Sequence, residues 1–316
     1  MPRAAVRLGA ALLLAGLCAC GARSTPAPPA RSAPSPVESR GAVPAFDPDS
    51  AWAALTVQVG FGPRVPGTPP HRACAAWLAG RLAACGGRVE RDAFAYRDPQ
   101  GRDWPLENIL GRFGPEGGDR LLLVAHWDTR PWADLDPDPA RRHLPIPGAN
   151  DGASGVAVLL EVARAFSQNP PAGGVDILFA DGEDLGRPDD PQGFCRGTRR
   201  FAAHGVGRYR RAIVVDMVGD ADLAVPIEET SLRLAPEVVD WVWERGRRLE
   251  PDVFTTRVGF SVYDDHVPLL EAGLPSVDLI DFDYPAWHTA GDDLSQVSAA
   301  SLGAVGRVVL SLALDP

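Results

Sequence analysis

From about residue 71 the chain alternates between two hydrophobic patterns. "HRACAAWLAGRLAACGG" sets its apolar residues at helical spacing and stops on glycine. "RLLLVAH" is a short continuous apolar run closed by a polar residue, the form of a strand buried on both faces. The two forms then take turns. A long helix is predicted in "GASGVAVLLEVARAF", a strand in "GVDILFADGED", a short helix in "CRGTRRFAAHG" and a strand in "RRAIVVDMVGD". A helix follows in "PEVVDWVWERGRRL", a strand in "LPSVDLIDF" and a closing helix in "VSAASLGAVGRVVLSLAL". This alternation predicts an open α/β sheet covered by helices on both faces. In such sheets ligands gather at the carboxyl ends of the strands. His126 and Asp128 end the first strand, Asp181, Glu183 and Asp184 the second and Asp216 the third, while His288 follows the last by a short loop. The polar candidates therefore converge on one edge.

The pattern changes before residue 46. "MPRAAVRLGAALLLAGLCAC" carries two arginines and an apolar run of signal-peptide length, too short to span a bilayer. Its end, "LCAC", resembles the bacterial lipobox, with Cys20 as the lipidated residue; an ordinary cleaved signal is the alternative. Residues 21–45 are rich in Pro, Ser and Ala and lack the apolar mass to offset ordering entropy, so they read as a tether. Residues 46–316 show no second linker and no repeat, and read as a single domain. The expectation is a monomeric lipoprotein, exported to the periplasm or cell surface, that touches membrane only through its anchor.

Composition narrows the partners. The net charge is −10, and all 31 basic residues are arginine with no lysine, which reads as base-composition bias. An acidic chain without clustered cations argues against nucleic acid or an anionic membrane surface and leaves small or peptidic partners. Cys74, Cys85 and Cys195 imply no disulfide framework and read as small buried hydrophobes.

"AHWD", "GANDGASG", "ADGED", "VVDMVGD" and "WHT" together supply two histidines and several carboxylates at strand ends. Catalytic zinc takes this mix, with three protein ligands and one open position. A lone histidine is more often structural, and a DG pair more often a turn; the joint occurrence in this order carries the signal. With "QVGFGPRVPGTPPH" ahead of them, these motifs resemble the zinc-dependent aminopeptidases and, within that fold, the glutaminyl-peptide cyclotransferases. The resemblance implies a three-layer α/β/α fold around a mixed, mostly parallel twisted sheet. It implies Asp151, Asp184 and His288 as zinc ligands and Glu183 as the proton-transferring base.

One fold then carries two activities. A two-zinc aminopeptidase would use His126 and Asp216 for the second ion; a cyclase needs one zinc and a proton shuttle, since the substrate's own α-amine attacks its γ-amide. Three features resemble the cyclases. Trp287 precedes the ligand histidine as an indole wall, and Tyr284 matches an aromatic at the pocket mouth. In "VYDDHVPLLEAGLP", Asp264 matches the acidic residue that binds the substrate end. Asp216 matches the carboxylate that shares a proton with it. Trp287 as packing, Tyr284 as a turn residue, Asp265 as a helix cap and His266 as structural are the plainer alternatives. The animal cyclases' tryptophan after the acidic pair is missing; Phe194, Phe201 and, from the insert "TRPWADLDPDPARRHLPIPG", Trp132 are what the chain offers instead. The expected substrates are peptides beginning with glutamine, cyclised with release of ammonia.

Overall fold

The computed structural model describes residues 45–315. Cys20 and residues 1–44 lie outside the described residues. Those described fall within one compact unit, Ala42–Pro316. No described helix is long and apolar enough to cross a membrane.

Two helices open the fold, α1 (Pro48–Gly60), capped by the Asp47 side chain, and α2 (Pro69–Ala84), capped by Thr68. Strands β1 (Arg88–Arg97), β2 (Asp103–Phe113) and β3 (Arg120–His126) lead to α3 (Ala153–Gln168), β4 (Val175–Ala180), α4 (Arg196–Ala203) and β5 (Tyr209–Asp216). Then come β6 (Val225–Ile227), α5 (Glu229–Leu234), α6 (Pro236–Leu249), β7 (Phe254–Val258), α7 (His266–Glu271), β8 (Ser276–Ile280) and α8 (Ala299–Leu314). Six strands form one sheet in the order β1-β2-β4-β3-β5-β8. β4, β3, β5 and β8 run parallel, and β2 runs antiparallel to both of its neighbours, β1 and β4. β6 and β7 form a separate parallel pair.

The central strands alternate their side chains between two cores. Leu121, Leu123 and Ala125 of β3 join the larger core, with residues of α1, α3 and α8. Leu122 and Val124 face the smaller one, which includes Leu269 of α7 and is flanked by Phe201 and Ala202 of α4. Both faces are thus covered, as the sequence predicts, and the sheet is mixed and mostly parallel.

β1 and β2 have no counterpart among the predicted strands. β1 is an edge strand whose side chains are mostly exposed or half-buried, so it lacks an apolar run, and Pro105 and Glu107 interrupt the run in β2. The pairing of β2 with β4, and of β1 with β2, reveals them.

Two glycines let the structure bring the strand ends and the α3 N-terminus together. A Cβ on Gly155 would stand 1.9 Å from the carbonyl oxygen of Val215, so α3 lies directly on β5. Gly152 has a φ of +86°, and a Cβ there would press on the His126 ring at 2.8 Å. The loop bearing Asp151 therefore hangs over the ends of β3 and β5.

Candidate active site and metal centre

Asp151, Asp184 and His288 converge from three separate segments, each offering a ligand atom within 4.8 Å of the others. His288 Nε2 stands 3.4 Å from Asp184 Oδ1 and 3.9 Å from Asp151 Oδ2. Donors on a four-coordinate zinc with bonds of about 2.0–2.1 Å are separated by about 3.3 Å, so these spacings suit the ion. The bonding of the oxygens tests the fit independently. Asp151 Oδ2 and Asp184 Oδ2 are buried without a hydrogen-bond partner. Buried carboxylate oxygens without partners are costly unless a cation joins them. The residues fit a metal.

A second group shares Asp151. His126 Nε2 lies 3.2 Å from Asp151 Oδ1 and 3.2 Å from Asp216 Oδ1, and the three residues offer ligand atoms within 4.8 Å of one another. Burial opposes protonation of His126, but the negative charge of Asp216 and its neighbours overrides it and raises the imidazole well above its usual range. Burial likewise opposes ionisation of Asp184, yet His288 and Arg130 hold it down at about 2.

Next to the ligands lies a cavity of about 430 Å³ whose walls include Glu183, Asp264, Phe194, Phe282 and Trp287. The Trp287 ring packs on His288 at 3.9 Å between centroids and on Phe282 at 4.7 Å. Phe194 takes a place in the wall. Phe201 packs on Tyr209 in the smaller core, and Trp132 stacks edge-on with Trp104 away from the cavity.

Glu183, Cys195 and Asp264 bring one polar atom each within 4.8 Å of one another. Burial, reinforced by the charge of Asp264, pushes Glu183 well above the usual carboxyl range. Burial and then Asp216 raise Asp264 to about 6. Carboxyls crowded in this way cannot all ionise together.

Several sequence expectations change. Asp265 is buried and makes no side-chain cap on α7; its carboxylate instead accepts from Thr198 Oγ1 at 2.5 Å. Tyr284, expected at the pocket mouth, is buried with its hydroxyl donating to Asp292 Oδ1 at 2.7 Å. Asp292 in turn accepts the backbone N–H groups of Asn150 and Asp151, so Tyr284 supports the ligand loop from behind. Cys195, read as a mere hydrophobe, places Sγ 3.3 Å from Glu183 Oε1. His266 is structural, lodged between Glu228 at 3.2 Å and Asp278 at 3.5 Å. The insert after β3 packs into the fold, with Arg130, Ala133, Asp136 and Ile146 buried.

Two further residues support the site in roles the sequence did not assign. Asp128 accepts the backbone N–H of Glu183 at 3.1 Å and of Asp184 at 3.3 Å. Arg130 donates to Asp184 Oδ1 at 2.8 Å. Asp128 had a signal, its place at a strand end; a buried arginine in a loop has none. Among the described residues the non-glycine positions with left-handed backbones are Cys195, Met217 and His288, with φ of 54°, 47° and 55°, and all three border this site. Such strain, about 1–3 kcal/mol each, collects where function requires it.

An α/β sheet with carboxylates and histidines gathered at its strand ends around a cation-ready centre defines a metal-dependent α/β enzyme. The chain belongs to peptidase family M28, whose model matches residues 108–313. A solved glutaminyl cyclase from Bacteroides thetaiotaomicron, bound to N-acetylhistamine, is 38% identical with a TM-score of 0.83, covering 87% of this chain and 99% of that one. A leucine aminopeptidase precursor from the same organism is also 38% identical, with a TM-score of 0.84 over 87% and 99%. Among characterised sequences, a bovine glutaminyl-peptide cyclotransferase-like protein is 27% identical over 283 residues, 78% of this chain and 70% of its own length. The resemblance drawn from the motifs holds.

Proposed function

We propose that this protein is a zinc-dependent glutaminyl-peptide cyclotransferase. The observation that carries the reading is the joint placement of Glu183 and Asp264 in one cavity walled by Trp287, against the ligand His288. In a cyclisation, nucleophile and electrophile belong to one folded-back side chain. A compact pocket with an indole wall and two proton-exchanging carboxyls serves that geometry, and the similarity to bacterial and animal cyclases supports it.

Asp151, Asp184 and His288 would hold one zinc ion. Zinc held there would supply Lewis-acid polarisation of the γ-carbonyl. Glu183 takes a proton from the α-ammonium, freeing the amine to attack the γ-carbon, and gives it to the amide nitrogen, which leaves as ammonia; the proton that the attacking nitrogen then sheds to become the lactam N–H returns to the Glu183 carboxylate and passes to solvent. Burial suits Glu183 to this exchange, because a base whose affinity for protons is raised toward the working pH both accepts and releases one. Asp264, backed by Asp216, orients the amine and amide. Trp287 excludes water from the reacting carbon, so that attack by the amine outruns hydrolysis.

One observation favours a second reading, a two-zinc aminopeptidase: His126, Asp151 and Asp216 form a ready second triad. A single sample decides. Ammonia release from a glutaminyl dipeptide, hydrolysis of leucyl-p-nitroanilide and bound zinc are measured together. Ammonia with about one zinc and no leucine release supports the cyclase; hydrolysis with about two zinc ions replaces it with the peptidase. Export and lipid anchoring at Cys20 are a separate proposal resting on residues 1–20 alone. Mass spectrometry of the mature protein that finds an N-terminus other than an acylated Cys20 removes it.

A further inference from the structure

The insert between β3 and α3 carries an arginine whose bonding is directed at the metal-ligand shell. Arg130 is 2% exposed. Its Nη1 donates to Asp184 Oδ1 at 2.8 Å and to the backbone carbonyls of Asp184 and Gly186 at 3.3 and 3.1 Å. Its Nε and Nη2 donate to the two oxygens of Asp134 at 2.7 and 2.8 Å, a bidentate pair. Asp134 Oδ1 stands 3.6 Å from His288 Nδ1, longer than a hydrogen bond and within ion-pair reach. One guanidinium therefore addresses Asp184 directly and His288 through Asp134.

The main chain of the same segment grips the histidine loop. The Leu135 N–H donates to the His288 carbonyl at 3.2 Å, and the Ala290 N–H donates to Asp136 Oδ2 at 3.0 Å. These bonds flank a histidine with a φ of 55°, which an isolated chain would rarely hold.

The donor atoms show the effect. Asp184 has Oδ1 taken by Arg130 and Oδ2 without a partner; Asp151 has Oδ1 beside His126 and Oδ2 without a partner. His288 turns Nδ1 toward Asp134 and Nε2 toward the two carboxylates. His288 thus keeps Nε2 and Asp151 its Oδ2 for the ion, while in Asp184 the Oδ1 that faces His288 Nε2 is the oxygen Arg130 holds, beside an Oδ2 without a partner.

We propose that Arg130 and Asp134 act as a clamp that presets Asp184 and His288 for zinc, so that tight metal binding depends on this pair of positioning residues. The proposal rests on Asp151, Asp184 and His288 as the ligand set and not on which reaction follows. Two effects oppose each other. A guanidinium near the ion repels it, but the bidentate bond to Asp134 already balances that charge. Holding the ligands in place, and easing the repulsion between Asp151 and Asp184, works the other way. Loss of such outer partners typically costs about 10- to 100-fold in metal affinity, so orientation is expected to win.

The test is the apparent zinc Kd of the full chain, by competition with a chromophoric chelator at fixed pH, for wild type, R130Q, R130K, D134N and the R130Q/D134N double variant. Thermal unfolding of each after chelation checks the fold. R130Q is expected to bind zinc about 10- to 100-fold more weakly, D134N about tenfold. R130K should recover part of the loss, and the double variant should be no weaker than R130Q, because the two residues act as one unit. A folded R130Q with wild-type or tighter zinc binding overturns the proposal. If R130Q does not fold, D134N decides, since Asp134 is part-exposed; unchanged affinity there is equally fatal. Zinc affinity needs no substrate, so the clamp can stand if ammonia release fails, and fall if it succeeds.

Discussion

The backbone N–H of Glu183 donates to Asp128 Oδ1 at 3.1 Å, while Asp128 Oδ2 takes the N–H of Asp184 at 3.3 Å. One buried carboxylate at the end of β3 thereby sets the register of the proposed base and a proposed metal ligand at the end of β4. D128N replaces one acceptor oxygen with a donor and leaves a buried N–H unpaired, a loss of about 1–3 kcal/mol. Denaturant unfolding should report that loss, with slower ammonia release. Unchanged stability and turnover would show that the two N–H groups need no such anchor.

Glu183 is assigned proton transfer and no metal. E183Q should lower kcat about 100- to 10,000-fold while zinc affinity stays within a few-fold of wild type. If zinc binding collapses with activity, Glu183 is a ligand and the assignment is wrong.

Asp264 titrates near 6 in the folded protein against 3.8 for the free side chain, through burial and the charge of Asp216. A pKa raised by folding gives stability that is complete below the unfolded value and lost as pH rises through the folded one. The ionised carboxylate is therefore a burden above pH 6 that D264N removes. In chelator-treated protein, D264N should be more stable than wild type at pH 7.5, by on the order of 2–3 kcal/mol at most, and the gap should close below pH 4. Thermal melts across that range check it; a gap that does not change with pH would count against a raised Asp264.

Trp287 lines the cavity and packs on His288. If it walls the substrate, W287A removes about 2 kcal/mol of contact and raises KM for a glutaminyl peptide roughly 30-fold, with zinc still bound. A lower melting temperature with KM unchanged would make the indole packing only.

What the sequence determined is what depends on local pattern. Continuous apolar runs marked β3, β4, β5 and β8 because strands buried on both faces need them, and helical spacing marked α2, α3, α6 and α8. Polar residues at or just past those strand ends located His126, Glu183, Asp184 and Asp216 at one edge, with His288 a short loop beyond, since chain direction in a parallel sheet decides which end a strand terminus occupies; Asp151 was implied by the family resemblance of its loop. Tertiary structure alone decided the rest. β1 has no buried run and Pro105 and Glu107 break the apolar pattern of β2, so the pairing of β2 with β4 and of β1 with β2 had to be seen. Tyr284 and Asp265 turned away from their expected roles because a buried polar group goes where its hydrogen bond is, to Asp292 and Thr198, eight and 67 residues distant. Arg130 reaches Asp184 across 54 residues for the same reason. Nothing in an arginine's neighbours along the chain records which carboxylate will meet it once water has been excluded, because that pairing energy exists only after folding.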